Sequence, residues 1–255
     1  MNLSGKVALV TGAGSGIGRA TAIKFAEEGA NVAVLYAFDE AEAFQTRQIV
    51  QDCGRDSLVV YADIRKKAQV DHAMVEIIHK FGRLDILVNS AGAYHFAPFL
   101  EIGEEDLDTV IDTNLKGTFF CSQAAAKAMI ACEACGKIIL ISSTQGIRPV
   151  LGTPHYAASK SGMFAMAKSM ALDLARYHIN VNVVCPGVIE SAGNLPKLRD
   201  PQVRMDVENQ IPWQRVGQPR DVAYLCAFLA SDAADYLTGS IIAIDGGLLA
   251  AGPQV

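Results

Sequence analysis

Thr11-Gly12-Ala13-Gly14-Ser15-Gly16-Ile17-Gly18 follows a short apolar run and opens onto a segment with helical spacing. Glycines let a backbone turn tightly and approach a pyrophosphate closely. A helix that follows offers its unpaired N–H groups and the positive end of its dipole to the same anion. The pattern is TGxxxGxG, carried by Gly12, Gly16 and Gly18, rather than GxGxxG. Alone, such a turn is only a tight connection. Its position after the first strand and before the first helix predicts a dinucleotide site.

Outward from this turn the same rhythm continues. Apolar runs predict strands over 6–10, 31–35, 58–62, 85–88, 137–141, 180–184 and 240–244. Helical spacing falls between them, over 17–28, 41–53, 68–81, 104–131, 155–177 and 221–229. Short apolar strands alternating with helices predict an α/β fold: one doubly wound domain over 1–255, with a parallel sheet of about seven strands covered on both faces. No linker or charge run divides the chain. The stretch 190–218 holds three prolines and little periodicity, and is expected to be a substrate lid.

Composition narrows the function. Of the 255 residues, 51% are hydrophobic and 19% charged, with a formal net charge of -5. That balance supports a large core and lacks the basic footprint of a nucleic-acid binder. No apolar run approaches the roughly 20 residues that span a bilayer. Residues 1–6 pass straight into an apolar run without a basic region and a long apolar stretch, so no secretory signal is expected. The expectation is a soluble, cytoplasmic protein with a small-molecule substrate and neither nucleic-acid nor membrane partners. Its six cysteines are scattered, and the Cys132/Cys135 pair has no second Cys pair or His cluster with it. These thiols are read as reduced, with no metal bound.

In such folds ligands bind beyond the carboxyl ends of the strands. At the second strand end, Tyr36 stands where an acidic residue would meet the ribose hydroxyl of NAD, or a basic one the phosphate of NADP. Asp39 reads as a helix cap. Asp63, after the third strand, reads either as a contact to the adenine edge, beside Ile64, or as a turn residue. Tyr156 and Lys160 are four residues apart in a helical segment and share a face. A phenol titrates near ~10, and a neighbouring ammonium favours the phenolate. Ser143, with Ser142 as competitor, is placed to polarise a substrate oxygen.

Taken together, these pieces resemble the short-chain dehydrogenase/reductase family over nearly the whole chain. Gly12, Gly16 and Gly18 match its cofactor turn, which also contains Ser15 and Ile17. Asn89, Ala91 and Gly92 match its NNAG motif, with Ser90 in place of the second Asn. Asn114, Ser143, Tyr156 and Lys160 match its catalytic positions. Pro186 and Gly187 match its PG motif, and Asp245, Gly246 and Gly247 its terminal DGG.

The resemblance implies a Rossmann-type fold and an NAD(P)(H)-dependent oxidoreductase acting on an alcohol/carbonyl pair, of the glucose-dehydrogenase-like or 3-oxoacyl-reductase-like kind. It implies that Tyr156 exchanges a proton with the substrate oxygen and Ser143 orients that oxygen. Lys160 would hold the nicotinamide ribose and lower the Tyr156 pKa, and Asn114 would position a water. Ile189 would contact the carboxamide through its backbone, and Ser191 stands where the family usually has Thr. Tyr94, His95, Gln145 and Arg148 are expected to line the substrate pocket. With no basic residue at Ser15 or Ala37, NAD(H) is expected to be preferred and NADP(H) tolerated. A homotetramer is expected. The rival reading, a non-catalytic dinucleotide-binding regulator, has less need of Tyr156 and Lys160.

Overall fold

A computed structural model describes residues 1–191 and 194–251. Seven parallel strands form one sheet: β1 (Val7–Thr11), β2 (Asn31–Tyr36), β3 (Ser57–Tyr61), β4 (Ile86–Asn89), β5 (Lys137–Ile141), β6 (Asn180–Pro186) and β7 (Ile241–Ile244). Their order is β3-β2-β1-β4-β5-β6-β7. The order reverses between β1 and β4, which are paired with Thr11 opposite Asn89. A crevice opens at such a reversal, and ligands bind there.

The strands read as unbroken apolar runs because both faces are buried. Along β1 the residues alternate: Val7 and Leu9 join one core, Ala8 and Val10 the other. The first core lies against α3 (Lys67–Phe81), α5 (Thr118–Ala131) and α6 (Pro154–Leu174). The second lies against α1 (Gly16–Glu27), α2 (Glu40–Asp52) and α9 (Pro219–Ala230). Phe25 of α1 is fully buried, and α9 is the principal helical partner of α1. The expected three-layer α/β architecture is therefore present. At the N-terminal edge, the buried Asp85 carboxylate accepts from the Val7 N–H at 2.8 Å and pairs with Arg83, fixing β4 beside β1.

Two segments differ from expectation. The helix predicted over 104–131 is α4 (Glu104–Ile111) and α5, joined by a π-turn over Asp112–Gly117. An added Cβ on Gly117 would stand 2.7 Å from Ile64 Cγ1, so the wide turn lets the helix pass beneath Ile64. The stretch expected to be irregular contains α7 (Leu195–Leu198) and α8 (Pro201–Glu208). No residue of α8 is buried, which is why it shows no apolar period. Residues 192 and 193 of the expected lid lie outside the described residues, as do 252–255 of the expected domain.

Candidate functional site

The glycine turn connects β1 to α1. Gly12 and Gly16 take positive φ values of 64° and 53°. On the protein side there is no space: a Cβ on Gly12 would lie 2.8 Å from Ala91 Cα, and one on Gly18 only 2.3 Å from the Gly12 carbonyl oxygen. Outward from Gly16 the nearest atom to an added Cβ is Ser191 Cβ, at 4.0 Å. The first turn of α1 carries no acidic residue, and its N-cap, Ser15, makes no side-chain cap hydrogen bond. The chain thus leaves the positive end of α1 uncompensated at an open cleft. That arrangement fits an anionic dinucleotide.

Beside it, the Thr11 hydroxyl accepts from the Ser90 and Ala91 N–H groups, both at 3.0 Å. The bend after β4 is held through backbone, which explains why Ser serves at position 90. Asn89 is buried and donates to Ser122 Oγ at 3.0 Å. A Cβ on Gly92 would meet Asn114 Oδ1 at 3.2 Å and Lys160 Nζ at 3.6 Å, so this glycine lets two expected site residues approach.

Asn114 sits in the π-turn, fully buried. Its Oδ1 accepts from the Ala93 N–H at 2.7 Å, and its Nδ2 donates to Ala93 O at 2.9 Å and Ser159 Oγ at 3.0 Å. Ser142 Oγ is buried and donates to the Lys160 carbonyl at 2.9 Å, a structural use of the competing serine. Ser143 Oγ accepts from Gln145 N–H at 3.1 Å and is hydrogen-bonded to Tyr156. Gln145 Oε1 in turn accepts from Thr153 Oγ1 at 2.9 Å.

Pro154 starts α6, placing Tyr156 and Lys160 in its first two turns. Lys160 Nζ lies 5.6 Å from the centroid of the Tyr156 ring and donates to Ile141 O at 2.9 Å. Burial drives both groups toward their neutral forms. The Tyr156 phenol is pushed up to about 12, against a smaller lowering by Ser143. The Lys160 ammonium is pushed down to about 8. At neutral pH both keep their protons. In the protein alone desolvation is the largest influence on the phenol, and the opposing one comes from Ser143.

At the far end of the cleft, Tyr36 OH donates to Glu40 Oε1 at 2.8 Å. An acidic side chain thus stands at the second strand end, supplied by the first residue of α2. The strand-end reading missed it because it lies four residues on. The Asp63 carboxylate is gripped by Arg65, whose Nη2 donates at 2.7 Å, and is held below the usual carboxylate range by that pairing. Ile64 is buried over Gly117.

On the opposite side, a Cβ on Gly187 would lie 2.9 Å from Asp245 Cα, so the Pro186-Gly187 and Asp245-Gly246-Gly247 motifs meet. Asn194, which sequence reasoning did not single out, accepts from Ser191 N–H at 2.8 Å and donates to Ile189 O at 2.6 Å. Its signal was an Asn three residues after a Ser in a turn-rich stretch. Arg148 donates to the Ala251 carbonyl at 2.9 Å, and Arg204 pairs with Glu190 at 2.6 Å. Cys132 ends α5 and Cys135 is exposed. No helix among the described residues is long and apolar enough to cross a membrane.

A family model described as enoyl-(acyl carrier protein) reductase matches residues 12–249. The chain is 40% identical over 243 residues to a 3-oxoacyl-(acyl-carrier-protein) reductase of Staphylococcus aureus, covering 95% of this chain and 98% of that protein. It superposes on a short-chain type dehydrogenase/reductase from Mycobacterium marinum with a TM-score of 0.91 at 35% identity, covering 97% and 96% of the two chains. A gluconate 5-dehydrogenase from Burkholderia cenocepacia, in complex with NADP and tartrate, superposes with a TM-score of 0.92 at 34% identity, covering 98% of each chain.

Proposed function

The chain belongs to the short-chain dehydrogenase/reductase family and is an NAD(P)(H)-dependent oxidoreductase of CH–OH groups; from that premise we propose that it interconverts a secondary alcohol and its carbonyl, of the sugar, polyol, ketone or 3-oxoacyl class, through Tyr156. One observation carries the reading: Lys160 Nζ lies over the Tyr156 ring, Ser143 bears on the same phenol, and Lys160 also approaches Gly92, next to the Ala91 that packs on Gly12 of the turn.

The cofactor's pyrophosphate belongs at Gly12, Ser15, Gly16, Ile17 and Gly18. Its adenosine belongs near Tyr36, Asp63 and Ile64. The remainder lies against Asn89, Ala91, Gly92, Pro186, Gly187, Ile189 and Ser191. When bound, the nicotinamide accepts or supplies the hydride. Ser143 Oγ donates a hydrogen bond to the substrate oxygen. Tyr156 Oη, held protonated by burial, delivers its proton to a carbonyl oxygen during reduction, and takes it back during oxidation. Lys160, its ammonium brought down to about 8 by burial and still protonated at neutral pH, is the cation that lowers the cost of the phenolate. Asn114 fixes the backbone at Ala93 beside it. Tyr94 and Gln145 line the substrate side, and 190–218 closes over it as a lid.

The direct test is a screen of sugars, polyols, ketones and acyl thioesters for change in nicotinamide absorbance. At least one is expected to turn over. A chain that binds cofactor but converts none of them would favour the regulatory reading.

Cofactor choice follows from charge. A phosphate on the adenosine ribose needs Arg or Lys to offset its desolvation. Ser15 and Ala37 supply neither, and the Tyr36–Glu40 pair adds a carboxylate nearby. NAD(H) is therefore expected to bind more tightly than NADP(H), although the Burkholderia relative holds NADP. Calorimetric titration of both oxidised cofactors decides this; a lower Kd for NADP would reverse the assignment.

We also assign the protein to the cytoplasm and to a homotetramer with two-fold axes. Exposed Phe119 and Ile130 on α5 and Leu172 on α6 support the assembly. Light scattering at micromolar concentration should give four times the chain mass; a monomeric mass would refute it.

A further inference from the structure

Residues 94–96 set three rings in succession against the segment that begins α6. Tyr94 meets the Tyr156 ring edge to face, with centroids 5.0 Å apart and planes at 79°. His95 meets His155 in the same way, at 5.9 Å and 64°. Phe96 lies over Gly152, where an added Cβ would stand 2.4 Å from Phe96 Cε2. The Ala97 N–H donates to the Gly152 carbonyl at 3.0 Å. The loop after β4 is thus clasped to the helix that carries Tyr156 and Lys160.

The middle pair of rings is chemically odd. His155 is 3% exposed, and neither of its ring nitrogens has a hydrogen-bond partner among the described residues. Leaving a buried polar group unpartnered is unfavourable. Phenylalanine would give the same ring contact without that cost. Two titratable groups face His155. His95 comes from the loop. Asp106 comes from α4, where its Oδ2 accepts from the Gly103 N–H at 3.2 Å and its Oδ1 lies 3.6 Å from His95 Nδ1.

We propose that His155 is a positioning residue for Tyr156: as the neutral imidazole it keeps loop 94–97 closed on α6 and Tyr94 seated on the Tyr156 ring, and on protonation it releases that loop. The consequence for turnover rests on Tyr156 being the proton-transfer residue; the release of the loop does not. Burial, then His95, disfavours the imidazolium, and Asp106 opposes them with the smaller effect. The closed loop therefore holds the neutral ring. Closure is complete above the ordinary imidazole value of about 6.5 and is lost as pH falls below it. Tyr156 and Lys160 cannot produce this loss when a carbonyl is being reduced. Both gain protons as pH falls, which keeps Tyr156 armed as the acid.

Amide hydrogen exchange of the 93–103 segment, corrected for the intrinsic effect of pH, tests the release without any substrate. In the unaltered protein, protection is expected to fall about tenfold per pH unit below the midpoint, as for a single protonation. His155→Phe should keep its protection across the same range. Asp106→Asn retains an acceptor for Gly103 and should move the midpoint to lower pH; His95→Phe should move it to higher pH. In the reducing direction, with the carbonyl compound the screen returns, kcat should fall at the same midpoint while the cofactor KM holds. Tyr156→Phe should lose turnover yet show the same loop release, which separates this proposal from the assignment of Tyr156. Acid loss of protection that persists in His155→Phe overturns the proposal. So do midpoints unmoved by both of the other substitutions, a guard should His155→Phe fail to fold. Carbonyl reduction in the unaltered protein that is indifferent to the release also overturns it.

Discussion

Tyr156→Phe is expected to lower kcat by about 10²–10⁴-fold, the range for loss of a positioned proton-transfer group. The substitution removes one oxygen and little else. The ring keeps its edge contact with Tyr94 and its place under Lys160 Nζ. Ser143 loses its partner at Tyr156 but still accepts from Gln145 N–H. The cofactor turn lies on another element, so cofactor affinity should hold. Steady-state rates and a calorimetric titration on the same preparation check both halves. Turnover within a few-fold of the unaltered protein would remove Tyr156 from the chemistry. A lost rate accompanied by lost cofactor binding would show that the phenol holds the cofactor instead.

Gly18→Ala is expected to damage stability and cofactor binding together. Its Cβ would be built 2.3 Å from the Gly12 carbonyl oxygen and 2.8 Å from the carbonyl carbon. Both are backbone atoms of the turn itself, so α1 must move away from β1. Overpacking of this kind typically costs about 1–3 kcal/mol. The displaced atoms are those that face the pyrophosphate. Gly14 is the control within the same turn. A Cβ there finds its nearest neighbour at 3.6 Å, ordinary contact distance. Thermal unfolding and cofactor titration should therefore show Gly18→Ala impaired and Gly14→Ala close to the unaltered protein. Equal behaviour of the two would mean that the turn tolerates displacement.

The strands were legible because a parallel sheet buried on both faces leaves unbroken apolar runs such as Val7–Thr11. The glycines were legible because few other residues permit those approaches. What escaped detection leaves no mark in the hydrophobic periodicity. The Asp112–Gly117 π-turn lies within helical spacing, and only the Ile64 side chain, brought from the end of β3, shows why it widens. Helix α8 has an N-cap at Asp200 and Pro201 at its first position but no buried face, so periodicity had nothing to report. The Tyr36–Glu40 hydrogen bond joins a strand to the following helix. The solitary imidazole of His155 depends on what three separate segments leave around it. Site chemistry read from the ordered motifs was brought together in space, but the electrostatic balance at Tyr156 depends on depth of burial, which sequence spacing does not carry.

The packing of α1 on α9 has a consequence for how the protein is made. The helix that shapes the cofactor turn, α1, leaves the ribosome long before α9, the helix that covers it. Until α9 arrives, Phe25 and its neighbours have lost one wall of their core. The first βα unit can form early as secondary structure, but its final docking waits for α9, and such long-range closure is slow. A nascent or prematurely terminated chain lacking α9 would present an apolar helix face to the cell instead of a nucleotide cradle. The cradle for the cofactor is thus expected to settle only once α9 has been made.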